Sequence, residues 1–264
     1  TAITALLTAV LMPCVYQVRR LTRTTVCTSN IRQVNQMVFM YQSDNGTFPF
    51  GLNTEPFLGP PPGGYLAAGR IDSERSFGTS AGWWWYNYIS CYSKEDIQNS
   101  VLFRCPSRFL RGVTELDTPI CGNYGVNQSV CRLYNGSPGR SEFKGIPLKS
   151  SRISSPSNTM ILTDSGFALI QWRQAALDAP YEVFEVPDPA ILKDNAYIPG
   201  LSINSGSELA ENWPEFSYDA LEGRHPGKKI NTGFADGHVS TEPADTLLVE
   251  ETEPNSFCLG VWKP

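Results

Sequence analysis

Charged residues and histidines are scarce in this 264-residue chain. Charged side chains make up 18% of it, only two histidines occur, and the net charge is -5. Nothing in this balance favours a partner recognised through its phosphates, so we expect no nucleic-acid ligand. The seven cysteines contain no Cys-x-x-Cys spacing, which favours disulfides in an oxidising compartment and leaves at least one thiol over.

What is present fits a folded domain rich in turns. The hydrophobic content of 41% is enough to bury a core, so the chain is not disordered. The 22 glycines and 20 prolines indicate many turns and long surface loops, which nearly excludes an all-helical bundle.

The first part of the chain is the most apolar. Residues 1–18 carry no charge, and this stretch falls just below the roughly 20 residues of a membrane-spanning helix. No basic residue or methionine precedes it, so we expect the natural segment to begin upstream. Apolar residues continue at helical spacing through Val18, Leu21, Cys27, Ile31, Val34, Val38 and Tyr41. The pattern predicts one helix from about Thr1 to Ser43, roughly 65 Å long, ended by a turn at Asp44-Asn45-Gly46.

Charge divides the chain in the same place. Arg19, Arg20, Arg23 and Arg32 are the only charged residues before Asp44, so the helix carries +4 and the remainder -9. The two parts are electrostatically complementary, although the arginines could equally serve only to solvate the exposed side of an amphipathic helix. Pro13 removes one helical hydrogen bond and is expected to bend the helix. An ordinary buried helix is the alternative interpretation of the apolar stretch.

The remaining residues, 46–264, read as short strands between turns. We predict a loop over Phe48–Tyr65, strands at Thr159–Thr163 and Gly233–Val239, and surface excursions at Pro180–Pro199 and Asn212–Tyr218. The expected fold class is α+β, in which a long N-terminal helix packs on a head domain with a small antiparallel sheet and long loops.

Several separated motifs resemble one family. They are TAITALLTAVLMP followed by RRLTRTTVCTSNIRQVNQMVFMYQSDNGTFP, then LFRCPS, NYGVN, SRISSPSNTMILTDS and RHPGKKINTGFADGHV. In this order they are similar to the type IV pilin-like and type II secretion pseudopilin superfamily, in the branch with a prepilin-type start and a processing-associated His-x9-Asp-Gly ending. Ten residues rather than nine separate His225 from Asp236, which suggests a one-residue insertion in the turn at Pro226–Ile230. The family's leader and its Phe-Thr-Leu-Ile-Glu start have no counterpart in the sequence.

The resemblance implies a structural subunit and no catalytic step. Residues 1–45 would anchor the protein in the inner membrane before assembly and then form the core of a helical filament of identical subunits. Pilus or secretion assembly machinery would build this filament, which would be extracellular or periplasmic. The residues expected in the filament contacts are Ile3, Leu6, Leu7, Val10, Leu11, Pro13, Val18, Arg19 and Arg20. A chain starting near Thr28 would then be soluble and folded. The competing hypothesis is a membrane-anchored or secreted binding protein that uses an aromatic-rich head.

The two histidines flank Asp236-Gly237. His225, His238 and Asp236 could together bind a divalent metal, but Ala235–His238 is more typical of a hairpin turn in which Asp236 accepts backbone hydrogen bonds and Gly237 has a positive φ. Some members of the family bind calcium near the C-terminus, and Asp236 or Asp245 could contribute to such a site. No EF-hand-like alternation of ligands supports that cofactor, and we expect none.

Gly78-Thr79-Ser80-Ala81-Gly82 matches the Gly-x-Ser-x-Gly nucleophile pattern, with Ser80, Asp164 and His225 as the nominal triad of a serine hydrolase. The context argues against an enzyme, because the preceding residues are charged and Trp83–Tyr88 is a poor start for a helix.

Two other groups of residues remain open. The aromatic run at Trp83–Tyr86 could form a sugar-binding platform, but such runs more often belong to a core or interface. Cys14 lies in the apolar helix and is the expected unpaired thiol. Cys27, Cys91, Cys105, Cys121, Cys131 and Cys258 allow fifteen pairings. Cys121 with Cys131 is the shortest closure, and a disulfide from Cys27 would clamp the helix to the head.

Overall fold

The computed structural model describes residues 2–54, 83–93, 100–107, 123–137, 141–165, 168–172, 224–247, 261–262 and 264. The surface excursions predicted at 180–199 and 212–218 lie outside these residues.

One long helix dominates the N-terminal part of the chain. Helix α1 runs over Ala2–Asn45, a span of 44 residues and about 66 Å, with Pro13 inside it. The Gly46 N–H donates to the Gln42 carbonyl at 2.8 Å and closes the last turn, so the predicted helix and its end are confirmed. No helix among the residues that the structure describes is both long and apolar enough to cross a membrane.

The C-terminal half of α1 packs on the head. The predicted apolar positions from Cys27 onward are buried at spacings of four and three residues, namely Cys27, Ile31, Val34, Val38 and Tyr41. This spacing keeps the side chains on one face of a helix, and that face contacts the central strands of the head. Cys27–Tyr41 is therefore part of the head's hydrophobic core.

A five-stranded sheet forms the centre of the head. Its strands are β3 (Tyr124–Asn127), β4 (Met160–Asp164), β5 (Leu169–Ile170), β6 (Lys229–Phe234) and β7 (Val239–Pro243). Their order is β5-β3-β4-β6-β7, and all neighbours are antiparallel except β3 and β5. The α+β class and the strand at Thr159–Thr163 are confirmed, while the parallel pair makes the sheet mixed rather than purely antiparallel.

The prediction of one strand over Gly233–Val239 is wrong. The chain reverses within that range, so that Gly233 pairs with Val239 across a β6–β7 hairpin. Asp236 Oδ1 accepts the His238 N–H at 3.0 Å, and Gly237 has a φ of 94°. This is the turn chemistry predicted for Ala235–His238, because a side-chain carboxylate and a residue with positive φ together reverse the chain.

The aromatic run forms core structure. Trp83–Trp84 is strand β2, which pairs with β1 (Leu52–Asn53), and Trp85–Ile89 is the short helix α2. Strand β1 lies in the segment predicted to be loop, and α2 forms where a helix was considered unfavourable. The Trp84 N–H donates to Asn87 Oδ1 at 2.8 Å, which satisfies a backbone group at the start of α2. Trp84, Trp85 and Tyr86 are buried, so the interpretation of the run as a binding platform is wrong.

Candidate functional site

Four side chains with metal-ligand chemistry meet where α1 reaches the sheet. They are Cys27, Cys105, Asp164 and His225, each at most 1% exposed. One ligand atom from each residue lies within 4.8 Å of the corresponding atoms of the other three. The Cys27 and Cys105 sulfurs are 3.3 Å apart, and Cys27 Sγ is 3.0 Å from Asp164 Oδ1. We call these four residues the buried cluster.

The first two members are brought together by asparagines. Cys27 lies on α1, and Cys105 follows the 3-10 turn Val101–Phe103. Asn30, one turn after Cys27, donates from Nδ2 to the carbonyls of Val101 and Arg104 at 3.1 and 3.2 Å. The Cys105 N–H donates to Asn123 Oδ1 at 3.0 Å. These contacts dock the Cys105 segment against the helix.

The other two members come from the sheet. Asp164 is the last residue of β4, and its Oδ2 accepts the Asn231 N–H from β6 at 2.7 Å. His225 precedes β6 and is paired through its backbone with Lys229. The His225 Nε2 and Asp164 Oδ2 atoms are 2.9 Å apart. Two neighbouring strands thus place an imidazole beside a carboxylate inside the core.

A threonine on α1 orients the imidazole from its other side. Thr24 Oγ1 is 3.1 Å from His225 Nδ1 and donates to the Arg20 carbonyl at 3.1 Å. A hydroxyl has one proton to donate, so Thr24 accepts from the Nδ1–H of His225. The ring is held with Nε2 directed at the cluster.

The pKa values of the two charged members move in opposite directions. Burial raises the pKa of Asp164, but the charge of His225 and the hydrogen bonds that Asp164 accepts outweigh burial and bring it below its usual value. Burial lowers the pKa of His225, whereas the charge and hydrogen bond of Asp164 raise it, with a net value of about 10. In the absence of other ligands the two side chains therefore form a buried ion pair.

The two thiols also differ. Burial, together with the hydrogen bond to Cys105, raises the pKa of Cys27. Burial alone would raise the pKa of Cys105 as well, but the hydrogen bond from Cys27 and the charge of Arg224 lower it to about 6. Cys105 is therefore the thiol that ionises more easily.

The buried cluster also contains two members of the nominal triad. Asp164 and His225 do pair, but both are fully buried, and Ser80 lies outside the described residues. The cluster brings two sulfurs, one nitrogen and one carboxylate within 4.8 Å of one another.

The proposed grouping of His225 with His238 and Asp236 is wrong. These residues lie at opposite ends of β6, a strand of six residues that is roughly 17 Å long. His238 pairs with Asp236 at the surface and stacks on Phe234, with the ring centroids 4.3 Å apart. Asp236 thus already has its partner in the turn, and the side chain of Asp245 lies outside the described residues.

No disulfide joins the cysteines that the structure describes. Cys14, Cys27, Cys91, Cys105 and Cys131 are free thiols, and Cys14 is exposed as expected for the unpaired residue. Cys131 is buried and free, so the predicted closure with Cys121 is not formed; Cys121 and Cys258 lie outside the described residues. The expected covalent clamp from Cys27 is replaced by a contact between two thiols.

Sequence reasoning misses the buried cluster although it singles out all four members for other reasons. Cys27 and Cys105 are among the disulfide candidates, while Asp164 and His225 are paired in the nominal triad. A sequence signal for the cluster does exist. The separated motifs CTSN, FRCPS, LTDS and RHPG each contain one side chain that can bind a metal, namely a thiol, a carboxylate or an imidazole.

We compared the chain with known protein families, curated proteins and solved structures. The chain matches no protein-family model, no curated protein and no solved structure.

Proposed function

We propose that this protein is a pilin-like structural subunit that polymerises through α1 into a helical filament. The observation that carries the proposal is the contrast between the two halves of the helix. Residues 27–41 supply side chains to the head's core, whereas large apolar side chains of the first 26 residues are exposed. Nine of these are between 45% and 75% exposed, namely Ile3, Leu7, Leu11, Met12, Val15, Tyr16, Val18, Leu21 and Val26.

Most of the exposed apolar side chains share one face. At 100° per residue, Ile3, Leu7, Leu11, Val15, Val18 and Leu21 fall within an arc of about 120°. We call this set the apolar stripe. A stripe of this width is typical of a helix that packs against other helices, because exposure of so much apolar surface to water is unfavourable. Of the other residues expected in the contacts, the side chains of Leu6 and Val10 lie outside the described set, and Pro13 is exposed.

The arginines lie on the other side of the helix. Arg19, Arg20 and Arg23 are exposed; Arg20 and Arg23 lie opposite the apolar stripe, and Arg19 lies beside its edge. In a filament of identical subunits they would face the acidic remainder of neighbouring chains, which carries -9. Head-to-tail contacts of this kind do not close on themselves and extend into a fibre.

The setting that fits this activity is an extracellular or periplasmic filament, assembled by dedicated machinery from subunits held at the inner membrane. The alternative of a ligand-binding head loses its main support, because the aromatic run that favoured it is buried.

A charge placed in the apolar stripe tests the proposal. Val18 lies near the middle of the stripe, and the exposed Gln17 next to it lies outside. Val18→Glu removes burial of about 1.5–3 kcal/mol per contact and adds a charge to an apolar interface. We expect at least a tenfold rise in the critical concentration for assembly, measured by sedimentation and negative-stain microscopy.

Gln17→Glu is the matched control, because it adds the same charge one position away. It should assemble almost as the natural sequence does. If the natural chain stays monomeric without detergent, or if both variants assemble equally well, the filament proposal is wrong.

A further inference from the structure

The buried cluster has the composition of a structural metal site. We propose that Cys27, Cys105, Asp164 and His225 bind one Zn²⁺ ion in a tetrahedral Cys₂AspHis centre that joins α1 to the head. The proposal rests on the positions of the four side chains and does not depend on filament formation.

The spacing of the ligand atoms fits such a centre. Zinc–ligand distances of about 2.0–2.3 Å place the ligand atoms of a tetrahedron roughly 3.3–3.8 Å apart. The measured separations are 3.3 Å for the two sulfurs, 3.0 Å for Cys27 Sγ to Asp164 Oδ1, and 2.9 Å for Asp164 Oδ2 to His225 Nε2. These three separations involve both Asp164 oxygens and are about half an ångström shorter than the tetrahedral values, because hydrogen bonds join the groups. All four ligand sites lie within 4.8 Å of one another, so small shifts of the side chains would complete the tetrahedron.

The surroundings of His225 fit a ligand histidine. Metal-bound imidazoles donate their second N–H to a nearby oxygen, which fixes the ring and the nitrogen used for the metal. Thr24 accepts from Nδ1 in this way, and its own proton is occupied by the Arg20 carbonyl. The nitrogen directed at the cluster is Nε2, which lies 2.8 Å from Asn231 Nδ2 and would exchange that contact for the metal. Thr24 is thus a positioning residue for the centre.

The charges also balance. Two thiolates and one carboxylate carry three negative charges, which would be costly in a core without a cation. Arg224 is buried beside them and is held by the carbonyls of Asn123 and Ser165 at 2.6 and 3.1 Å. A divalent ion together with Arg224 brings the formal charge of the assembly to zero. Zinc accepts thiolate sulfur, imidazole nitrogen and carboxylate oxygen ligands, so all four side chains are suitable.

A disulfide between Cys27 and Cys105 is the competing use of the same sulfurs. It would need the sulfurs at about 2.05 Å and would remove the Cys27 proton, which has both Cys105 Sγ and Asp164 Oδ1 as acceptors within reach. It would also leave Asp164 and His225 with no role beyond an ion pair. The convergence of all four side chains favours the metal.

Four protein ligands leave no open position for substrate or reactive water, so the centre is structural rather than catalytic. Its place in the fold gives it a specific task. Cys27 is the first buried residue among the described side chains of α1, at the point where the exposed part of the helix leaves the head. A metal there would fix the direction of the exposed part of α1, which we call the stem, relative to the sheet.

Metal analysis of the full-length chain tests the proposal. We expect about one equivalent of zinc per chain, and Co²⁺ should replace it with the visible absorption of tetrahedral thiolate coordination. Cys105→Ser should lose this spectrum, whereas Cys91→Ser should retain it, because Cys91 is a free thiol outside the cluster. Chelation should lower the unfolding temperature of the natural chain and of Cys91→Ser.

A variant outside the ligand set distinguishes loss of metal binding from misfolding of the cysteine mutants. Thr24→Val should keep the fold but weaken zinc affinity by roughly 10–100-fold, and Thr24→Ser should restore it. Folded protein that binds neither Zn²⁺ nor Co²⁺ would overturn the proposal. So would a mass lower by two hydrogens that peptide mapping assigns to a Cys27–Cys105 disulfide. Because the readout is metal content, failure here leaves the filament proposal standing, and the reverse also holds.

Discussion

At the scale of single residues, Gly233 of β6 lies tightly against α1. A Cβ at this position would lie 3.0 Å from Asn35 Cγ and 3.1 Å from Leu162 Cδ2. Asn35 cannot move away easily, since it is fully buried and its Nδ2 donates to the Phe234 carbonyl at 3.1 Å. Strand β6 and helix α1 therefore leave no room for a side chain at Gly233.

We expect Gly233→Ala to destabilise the protein by about 1–3 kcal/mol, because adding a methyl group to a packed core displaces its neighbours. Urea unfolding of the head would measure this change. Gly136→Ala is a suitable control, since Gly136 is exposed and its nearest neighbour is the Tyr134 ring, which can shift. Equal stabilities of the two variants would contradict the tight contact at Gly233.

Local contacts of single residues could be predicted from the sequence, whereas the contacts within the buried cluster could not. The local turn chemistry of Asp236 and Gly237 was predictable because it depends on neighbouring residues alone. The partners of His225 were not, since Thr24 is 201 residues away in sequence and Asp164 is 61 away. Two histidines 13 positions apart looked like natural partners, but a strand between them keeps them apart.

At the scale of elements, Asn30 of α1 holds the 3-10 turn Val101–Phe103 through hydrogen bonds. Asn30 is buried and bridges the carbonyls of Val101 and Arg104. Replacing it by alanine leaves these carbonyls without that donor. We expect Asn30→Ala to lower the free energy of unfolding by about 1–3 kcal/mol.

Ser29→Ala is the matched control for this change, because Ser29 is the preceding residue on α1 and its side chain is exposed. It should alter stability by less than about 0.5 kcal/mol in the same denaturation measurement. Comparable losses in both variants would contradict the role of the bridge from Asn30, because alanine has a higher helix propensity than either residue that it replaces.

The elements themselves were predictable in proportion to their length. A hydrophobic pattern sustained over more than forty residues predicts α1 almost to the residue, and the apolar run at Thr159–Thr163 predicts β4. Strands β1 and β5 have two residues each, too few to show any alternation. They exist because neighbouring segments supply hydrogen bonds, as when the Val126 and Gln128 N–H groups donate to the Ala168 and Ile170 carbonyls.

At the scale of the whole molecule, the boundary between stem and head does not coincide with the end of the helix. A division at residue 45 follows the secondary structure, yet the helix supplies core residues from Cys27 onward. Thr24 also belongs to the head, through its contact with His225. The proposed stem is therefore the part of α1 before about Arg20, and we expect a truncated head to need the remainder of the helix.

Two truncated chains distinguish these boundaries. A chain beginning at Arg19 lacks most of the apolar stripe but keeps Thr24, Cys27 and the Arg20 carbonyl. A chain beginning at Thr28 lacks those three groups as well, although it retains the apolar positions from Ile31 onward. We expect both to be monomeric in sedimentation, because both lack the surface proposed to drive assembly.

Their stabilities should differ. Removing the buried side chain of Cys27 and the partner of His225 should cost at least about 2 kcal/mol, which for a domain of this size lowers the unfolding temperature by about 5 °C or more. The chain beginning at Arg19 should unfold close to the temperature of the full-length Val18→Glu variant.

Equal unfolding temperatures for the two truncations would place the boundary at Thr28. A difference that disappears in the presence of a chelator would trace the lost stability to the metal rather than to packing, since chelation removes only the contribution that the metal makes.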